Sequence, residues 1–187
     1  MKQDRERWSH RYESEPSSVS SADELLLTHA DLLRGGGRAL DLACGRAGNS
    51  LFLAERGYRV DAVDVSFKAV SDLMRAAAQR GLAVRGLVAD LDDYLLPTAA
   101  YDVATVFYFF DEKLMPAIAA SLKPSGLIFY ATFNQNHRSL RPDFNPAYLV
   151  PEQGLASYFP NFEIFFEDRN AGTDRNVCQL IARRPRS

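Results

Sequence analysis

Only two cysteines, Cys44 and Cys178, occur in the 187 residues, too few for a framework of disulfides and, in a chain without an export signal, poor evidence even for one. Histidine is nearly as scarce. His10, His29 and His137 fall in no ligand-like spacing with one another or with the cysteines, so no metal centre is expected. Excess charge of either sign is also missing: 22 Lys and Arg against 24 Asp and Glu give a net charge of −2, which excludes a global basic field for nucleic acid. The basic run Ala182-Arg183-Arg184-Pro185-Arg186 is short and reads as a solvated tail. No apolar run reaches the roughly 18 residues of a membrane span, and the first residues are charged where a signal peptide is apolar. A cytoplasmic location follows as the expectation, with a small-molecule partner, no nucleic acid and no membrane; oligomeric state stays open. No repeat or low-complexity linker divides the chain, and its size suits one domain burying about 70% of its unfolded surface.

The stretch from Arg38 to Ser66 carries the most information. Ala39 to Ala43 is an apolar run interrupted by Asp41, as a buried parallel strand would be. A turn of small residues follows at once. Ala43, Gly45, Ala47 and Gly48 leave room for a ligand to approach the backbone, and the amides that open the next helix point toward it. A second strand, Tyr58 to Asp64, ends on an acid able to accept hydrogen bonds from both hydroxyls of a ribose. That is the outline of a nucleoside-cofactor site.

The spacing of Ala43, Gly45 and Gly48, with Asp64 beyond them, also fits a degenerate dinucleotide fingerprint, so NAD is the competing cofactor. Two details favour another. Alanine in two turn positions relaxes the close approach that a pyrophosphate needs, and Asp41 would repel a pyrophosphate while suiting an amino group and a sulfonium cation. S-adenosylmethionine carries both. At this point Asp41-Leu42-Ala43-Cys44-Gly45 with Asn49-Ser50, then Ala62-Val63-Asp64, resembles the first two motifs of class I S-adenosylmethionine-dependent methyltransferases, and most closely the small tellurite-resistance and thiopurine-methyltransferase-like branch. Val88-Ala89-Asp90-Leu91 is similar to the third motif, Tyr101-Asp102-Val103 with Phe107-Tyr108 to the fourth strand, and Leu122-Lys123-Pro124-Ser125-Gly126 to the turn into the fifth. Trp8-Ser9-His10-Arg11-Tyr12 resembles a segment that in relatives packs over the cofactor. Ala43 and Ala47 depart from the pattern, where glycine is usual.

The resemblance implies a three-layer, doubly wound, Rossmann-like α/β fold with seven strands, mostly parallel, the last inserted antiparallel. It implies S-adenosylmethionine as cofactor and a binding set of Asp41, Ala43, Gly45, Asn49, Asp64, Val65, Asp90, Leu91, Phe107 and Tyr12. Within that set Asp64 takes the ribose, Asp90 and Leu91 the adenine, and Asp41 with Gly45 the methionine end. Cys44 fills a small buried position and is read as structural. The parts expected are a helical cap over residues 1–34, a cofactor-binding core over 38–133, an acceptor-shaping segment over 134–160 and final strands over 161–184.

Periodicity supplies the elements between the motifs. Ser21-Ala22-Asp23-Glu24 reads as a capping box for a helix with Leu25, Leu26, His29, Leu32 and Leu33 on one face, stopped at Gly35-Gly36-Gly37. Ser66 caps a second helix running to Arg80, with Val70, Leu73, Met74 and Ala77 in the core and Gly81 ending it. Further strands are expected over Ala83 to Ala89, Asp102 to Phe107, Leu127 to Thr132, Phe162 to Glu167 and Val177 to Ala182. Helices should fill the gaps, one near Asp111 to Leu122 with Pro116 at its start. Asn134 to Pro160, broken by prolines, lies where it can shape the acceptor pocket, and Asn134, His137, Arg138 and Arg141 could hold an acidic acceptor. No catalytic residue is nominated, because transfer from a sulfonium needs alignment in an apolar site more than a base, above all to a thiolate or metalloid anion. An NAD-dependent oxidoreductase and a cofactor-binding sensor without turnover are the alternatives.

Overall fold

The computed structural model describes residues 20–171 and 176–186; Trp8 to Tyr12, with the expected cofactor contact of Tyr12, lie outside the described residues. Two compact units divide between Leu95 and Leu96. The first holds β1 (Arg38–Leu42), β2 (Arg59–Asp64) and β3 (Val84–Val88) with α1 (Glu24–Thr28), α2 (Gly48–Glu55) and α3 (Phe67–Gln79). The second holds β4 (Tyr101–Phe107), α4 (Met115–Ser121), β5 (Leu122–Phe133), β6 (Glu163–Ala171) and β7 (Val177–Arg183). Strand order is β3-β2-β1-β4-β5-β7-β6 in a seven-stranded sheet.

In the first unit β1 pairs parallel with β2 and β2 with β3, so Asp41 lies beside Ala62 and Asp64 beside Val88. Leu40, Leu42, Val60, Ala62 and Val63 are buried, the continuous apolar content expected of parallel strands covered by helices. Ser66 caps α3 through its hydroxyl, which accepts from the Ala69 amide, and Gly81 turns the chain beyond Arg80 at a φ of +65°. Val70, Leu73 and Ala77 are buried as expected, whereas Met74 is 37% exposed. Its thioether lies over Gly86, where a Cβ would come within 2.6 Å of Val70 and 2.9 Å of Met74. The glycine in β3 is therefore what lets α3 settle on the edge of the sheet.

Two expectations need correction here. The first helix is shorter than its apolar face suggests: α1 stops at Thr28, and a 3₁₀ turn over Ala30–Leu32 follows. Its cap is Asp23, which accepts from the Leu25 amide, and not Ser21. The cause is tertiary, since the Ser20 amide donates to the Arg46 carbonyl at 3.2 Å and ties the chain ahead of α1 to the turn after β1. Between β3 and β4 no helix fills the gap; turns at residues 91–93 and an irregular run carry the chain across. Asp90 sets this up by accepting from the Asp92 amide at 3.1 Å, an Asx turn that competes with helix formation.

In the second unit β4 and β5 are parallel, while β7 is antiparallel to both β5 and β6 and lies between them, the inserted last strand that the resemblance implies. Pro116 sits in the first turn of α4, where its missing amide costs nothing. The turn expected before the fifth strand is present as an irregularity inside β5: Ser125 has a φ of +64° and the register with β4 shifts between Tyr101 and Val103. Residues 134–160 form three short 3₁₀ turns, at Gln135–Ser139, Pro146–Tyr148 and Leu155–Tyr158.

Candidate functional site

Asp41, Asp64 and Asp90 stand at or just beyond the carboxyl ends of β1, β2 and β3, three neighbouring parallel strands. Crevices outside such ends are where doubly wound sheets take ligands. Asp64 is buried, and its carboxylate accepts from the Gly45 amide at 2.9 Å and the Ser66 amide at 2.8 Å. It thus ties the turn after β1 to the turn after β2. Burial raises its pKa above the usual 3.8, although the amides of Ser66, Gly45 and Val65 oppose the shift. A carboxylate offers about four lone-pair directions, so beyond the Gly45, Ser66 and Val65 amides Asp64 keeps capacity to accept from a further donor.

The turn itself is built from left-handed backbone. Ala43, Gly45 and Ala47 have φ of +53°, +50° and +73°; the Cys44 amide donates to the Val63 carbonyl at 3.1 Å, and the Ala47 amide to the Cys44 carbonyl at 3.2 Å. The two alanines where glycine is usual therefore hold a conformation that costs an L-residue about 1–2 kcal/mol each. Cys44 is buried, and its thiol is pushed up first by that burial and then by the carboxylates of Asp64 and Asp41. A protonated, enclosed thiol is no nucleophile, in keeping with a structural role.

Asp41 is 1% exposed and accepts from the Ser50 hydroxyl at 2.5 Å, which places it beneath the first turn of α2. The Asn49 carboxamide oxygen accepts from the Asp23 amide at 2.8 Å. Ser20 reinforces the contact by donating its amide to the Arg46 carbonyl at 3.2 Å. Gly48 explains why this strap fits, because a Cβ there would lie 2.3 Å from the Ser21 carbonyl oxygen. Sequence reasoning did not anticipate the strap; the small Gly48 ahead of Asn49 is the signal that could have shown it. Val65 supplies an amide next to Asp64, Leu91 is buried beside the half-buried Asp90, and Phe107 closes β4 in the second unit, where it is buried.

Of the polar residues in the acceptor-shaping segment, Arg138 and Arg141 are exposed. Asn134 caps its own turn by accepting from the Asn136 amide and donates to the Arg169 carbonyl, both at 2.9 Å. His137 is buried against Phe133. Among the described residues no group of three or more His, Cys, Asp or Glu is placed to hold a metal ion, and no helix is long and apolar enough to cross a membrane.

An acid at the end of β2, a tight turn after β1 and an antiparallel β7 describe a Rossmann-like domain. Residues 39–126 match the family model described as a methyltransferase domain. The chain is 30% identical over 144 residues to hemagglutinin 1 of Eikenella corrodens, a match covering 72% of this chain and 47% of that protein. It is 26% identical over 141 residues to the ubiquinone biosynthesis O-methyltransferase of Azoarcus sp. (strain BH72), covering 70% and 60%. The chain thus spans about half the length of these curated relatives. An S-adenosylmethionine dependent methyltransferase from Mesorhizobium loti has the same fold, with a TM-score of 0.70 at 18% identity over 87% of this chain and 99% of that one. Over residues 39–126 the chain thus resembles a methyltransferase domain, and its fold is the one found in the Mesorhizobium loti S-adenosylmethionine dependent methyltransferase.

Proposed function

We propose that the chain transfers a methyl group from S-adenosylmethionine to a small-molecule acceptor, in a branch resembling the tellurite-resistance and thiopurine methyltransferases. One observation carries this reading: the Asp64 carboxylate, buried at the end of β2 and braced by the Gly45 and Ser66 amides, with acceptor capacity to spare. S-adenosylmethionine supplies the methyl group on a sulfonium. Asp64 would hold the ribose hydroxyls, Asp90 with the Leu91 amide the adenine, and Asp41 with Gly45 the methionine end. Desolvation at Asp64 strengthens each hydrogen bond it accepts. Ala43, Val65 and Phe107 would contribute backbone and apolar wall. A thiolate or another soft anion would need no general base, which agrees with the protonated state of the Cys44 thiol. The set of parts expected from sequence, with a core over 38–133 and an acceptor-shaping segment over 134–160, belongs to the same proposal, as does a location in the cytoplasm.

Isothermal calorimetry with S-adenosylmethionine tests it. Asp64→Ala should weaken binding at least about tenfold, the loss of a charge-assisted hydrogen bond, while the exposed Arg138→Ala leaves it unchanged. Equal, negligible effects in the two variants would dismiss the site as drawn.

A further inference from the structure

Asp41 carries a carboxylate that is buried on β1, and Ser50 is fully buried in the first turn of α2. A charge in such a place is costly unless donors meet it. Two neighbours raise the cost. The Cys44 thiol is pushed up by the carboxylates of both Asp64 and Asp41, which puts three acidic groups around one turn, and like charges disfavour one another's ionised forms. The Ser50 hydroxyl offsets this by donating to Asp41 Oδ2 at 2.5 Å, the length of a hydrogen bond to an ionised acceptor. A serine inside a helix ordinarily bonds back to the carbonyl four residues earlier. Here that carbonyl, of Arg46, is engaged by the Ser20 amide at 3.2 Å, and the Ser50 hydroxyl goes to the acid. Helix propensity gives no reason to prefer serine to alanine at this position; the contact with Asp41 does.

An acid that is to receive a ligand's ammonium group must present a lone pair in a set direction, and a bond that holds one of its oxygens fixes the plane of both. We propose that Ser50 is a positioning residue for the methionine end of S-adenosylmethionine, its hydroxyl setting the plane of the Asp41 carboxylate that receives the cofactor's ammonium group. This inference rests on the methyltransferase reading and deepens it. Ser50 touches no ligand itself and acts through Asp41 alone. A carboxylate held in this way before the ligand arrives needs no rearrangement on binding, so the affinity it supplies depends on the residue behind it. Every part of the device, Ser20, Asp41, Arg46 and Ser50, belongs to the first unit.

The test is calorimetry on the full chain with three ligands: S-adenosylmethionine, S-adenosylhomocysteine and 5′-methylthioadenosine, the last of which has the nucleoside and lacks the amino-acid end. Ser50→Ala should weaken binding of the first two about tenfold, the worth of one charge-assisted hydrogen bond, and leave the third within about twofold. Ser50→Cys, close in size but a weak donor, should give the same pattern and serves if the alanine variant does not fold. In an Asp41→Asn background, adding Ser50→Ala should change the affinity for S-adenosylmethionine by less than about twofold, since the partner it acts through is gone. Equal losses for all three ligands mark Ser50 as packing and overturn the proposal. An unchanged affinity for S-adenosylmethionine overturns it too, as does a tenfold loss that persists beside Asp41→Asn. Wild-type protein that binds neither S-adenosylmethionine nor 5′-methylthioadenosine would instead defeat the methyltransferase reading itself.

Discussion

Asp64 is asked to do two things that conflict. Its burial disfavours the charged form, yet the backbone amides around it and the ribose it is proposed to bind favour that form. The conflict sets a pH dependence with a definite sign. In the folded chain the carboxyl titrates above 3.8, and in the unfolded chain near its ordinary value, so the folded state holds more proton across that interval. Stability contributed by this group is present below the unfolded value and is lost as pH rises through the folded one. Urea midpoints of the ligand-free protein measured upward from about pH 4 should therefore fall relative to those of Asp64→Ala. A difference that stays flat, or rises, would contradict the assigned shift. Cys178 shows the same physics without a functional demand: burial pushes its thiol to about 12, and its sulfur donates to the Thr132 carbonyl at 3.3 Å.

Among elements, the turn between β1 and α2 is where local preference and tertiary need diverge most. Ala47 caps α2 from a φ of +73° with no side-chain hydrogen bond, whereas Gly48 beside it has a backbone any residue could adopt and is small for a different reason. Replacing Ala47 by glycine should raise stability by up to about 1 kcal/mol by relieving the left-handed strain. Replacing Gly48 by alanine should lower it by about 1–3 kcal/mol, since the new methyl displaces the strap at Ser21. Denaturant melts of the two variants decide it, and a result with the signs exchanged would mean the turn is drawn wrongly. α3 shows the reverse case, in which the Ser66 cap, the spacing of Val70, Leu73 and Ala77 and the stop at Gly81 all agree, and the helix forms within one residue of its expected end.

At the scale of the whole molecule, a ligand that binds only the folded state stabilises it by mass action. S-adenosylmethionine at a hundredfold excess over its dissociation constant should add about 2.7 kcal/mol, and for a chain of this length raise Tm by roughly 5 to 10 °C. NAD at equal concentration should add nothing. A shift with NAD alone would reverse the choice of cofactor that Asp41 and the alanines of the turn support. The strands show how much of this scale was legible. All seven were read to within about five residues: β1, β2, β4, β5 and β7 are largely buried apolar runs, and the edge strands β3 and β6 follow from their place in the order of motifs. The expected helix between β3 and β4 was not found, because an Asx turn at Asp90 looks in sequence like a helix cap.

The order of short motifs, the acids at positions 41, 64 and 90 and the apolar strands before them settled the class of fold and brought the three acids to one end of neighbouring strands, since these depend on spacing along the chain. Contacts between residues far apart in sequence needed the folded chain. Asn49 belongs to a strap because Ser21 lies over Gly48, and Arg138 and Arg141 are exposed while an aromatic cluster occupies the inner side of their segment. A periodicity reports which face an element buries; which partner it meets, and whether a side chain ends in water or against a ring, is decided only when distant segments close on one another.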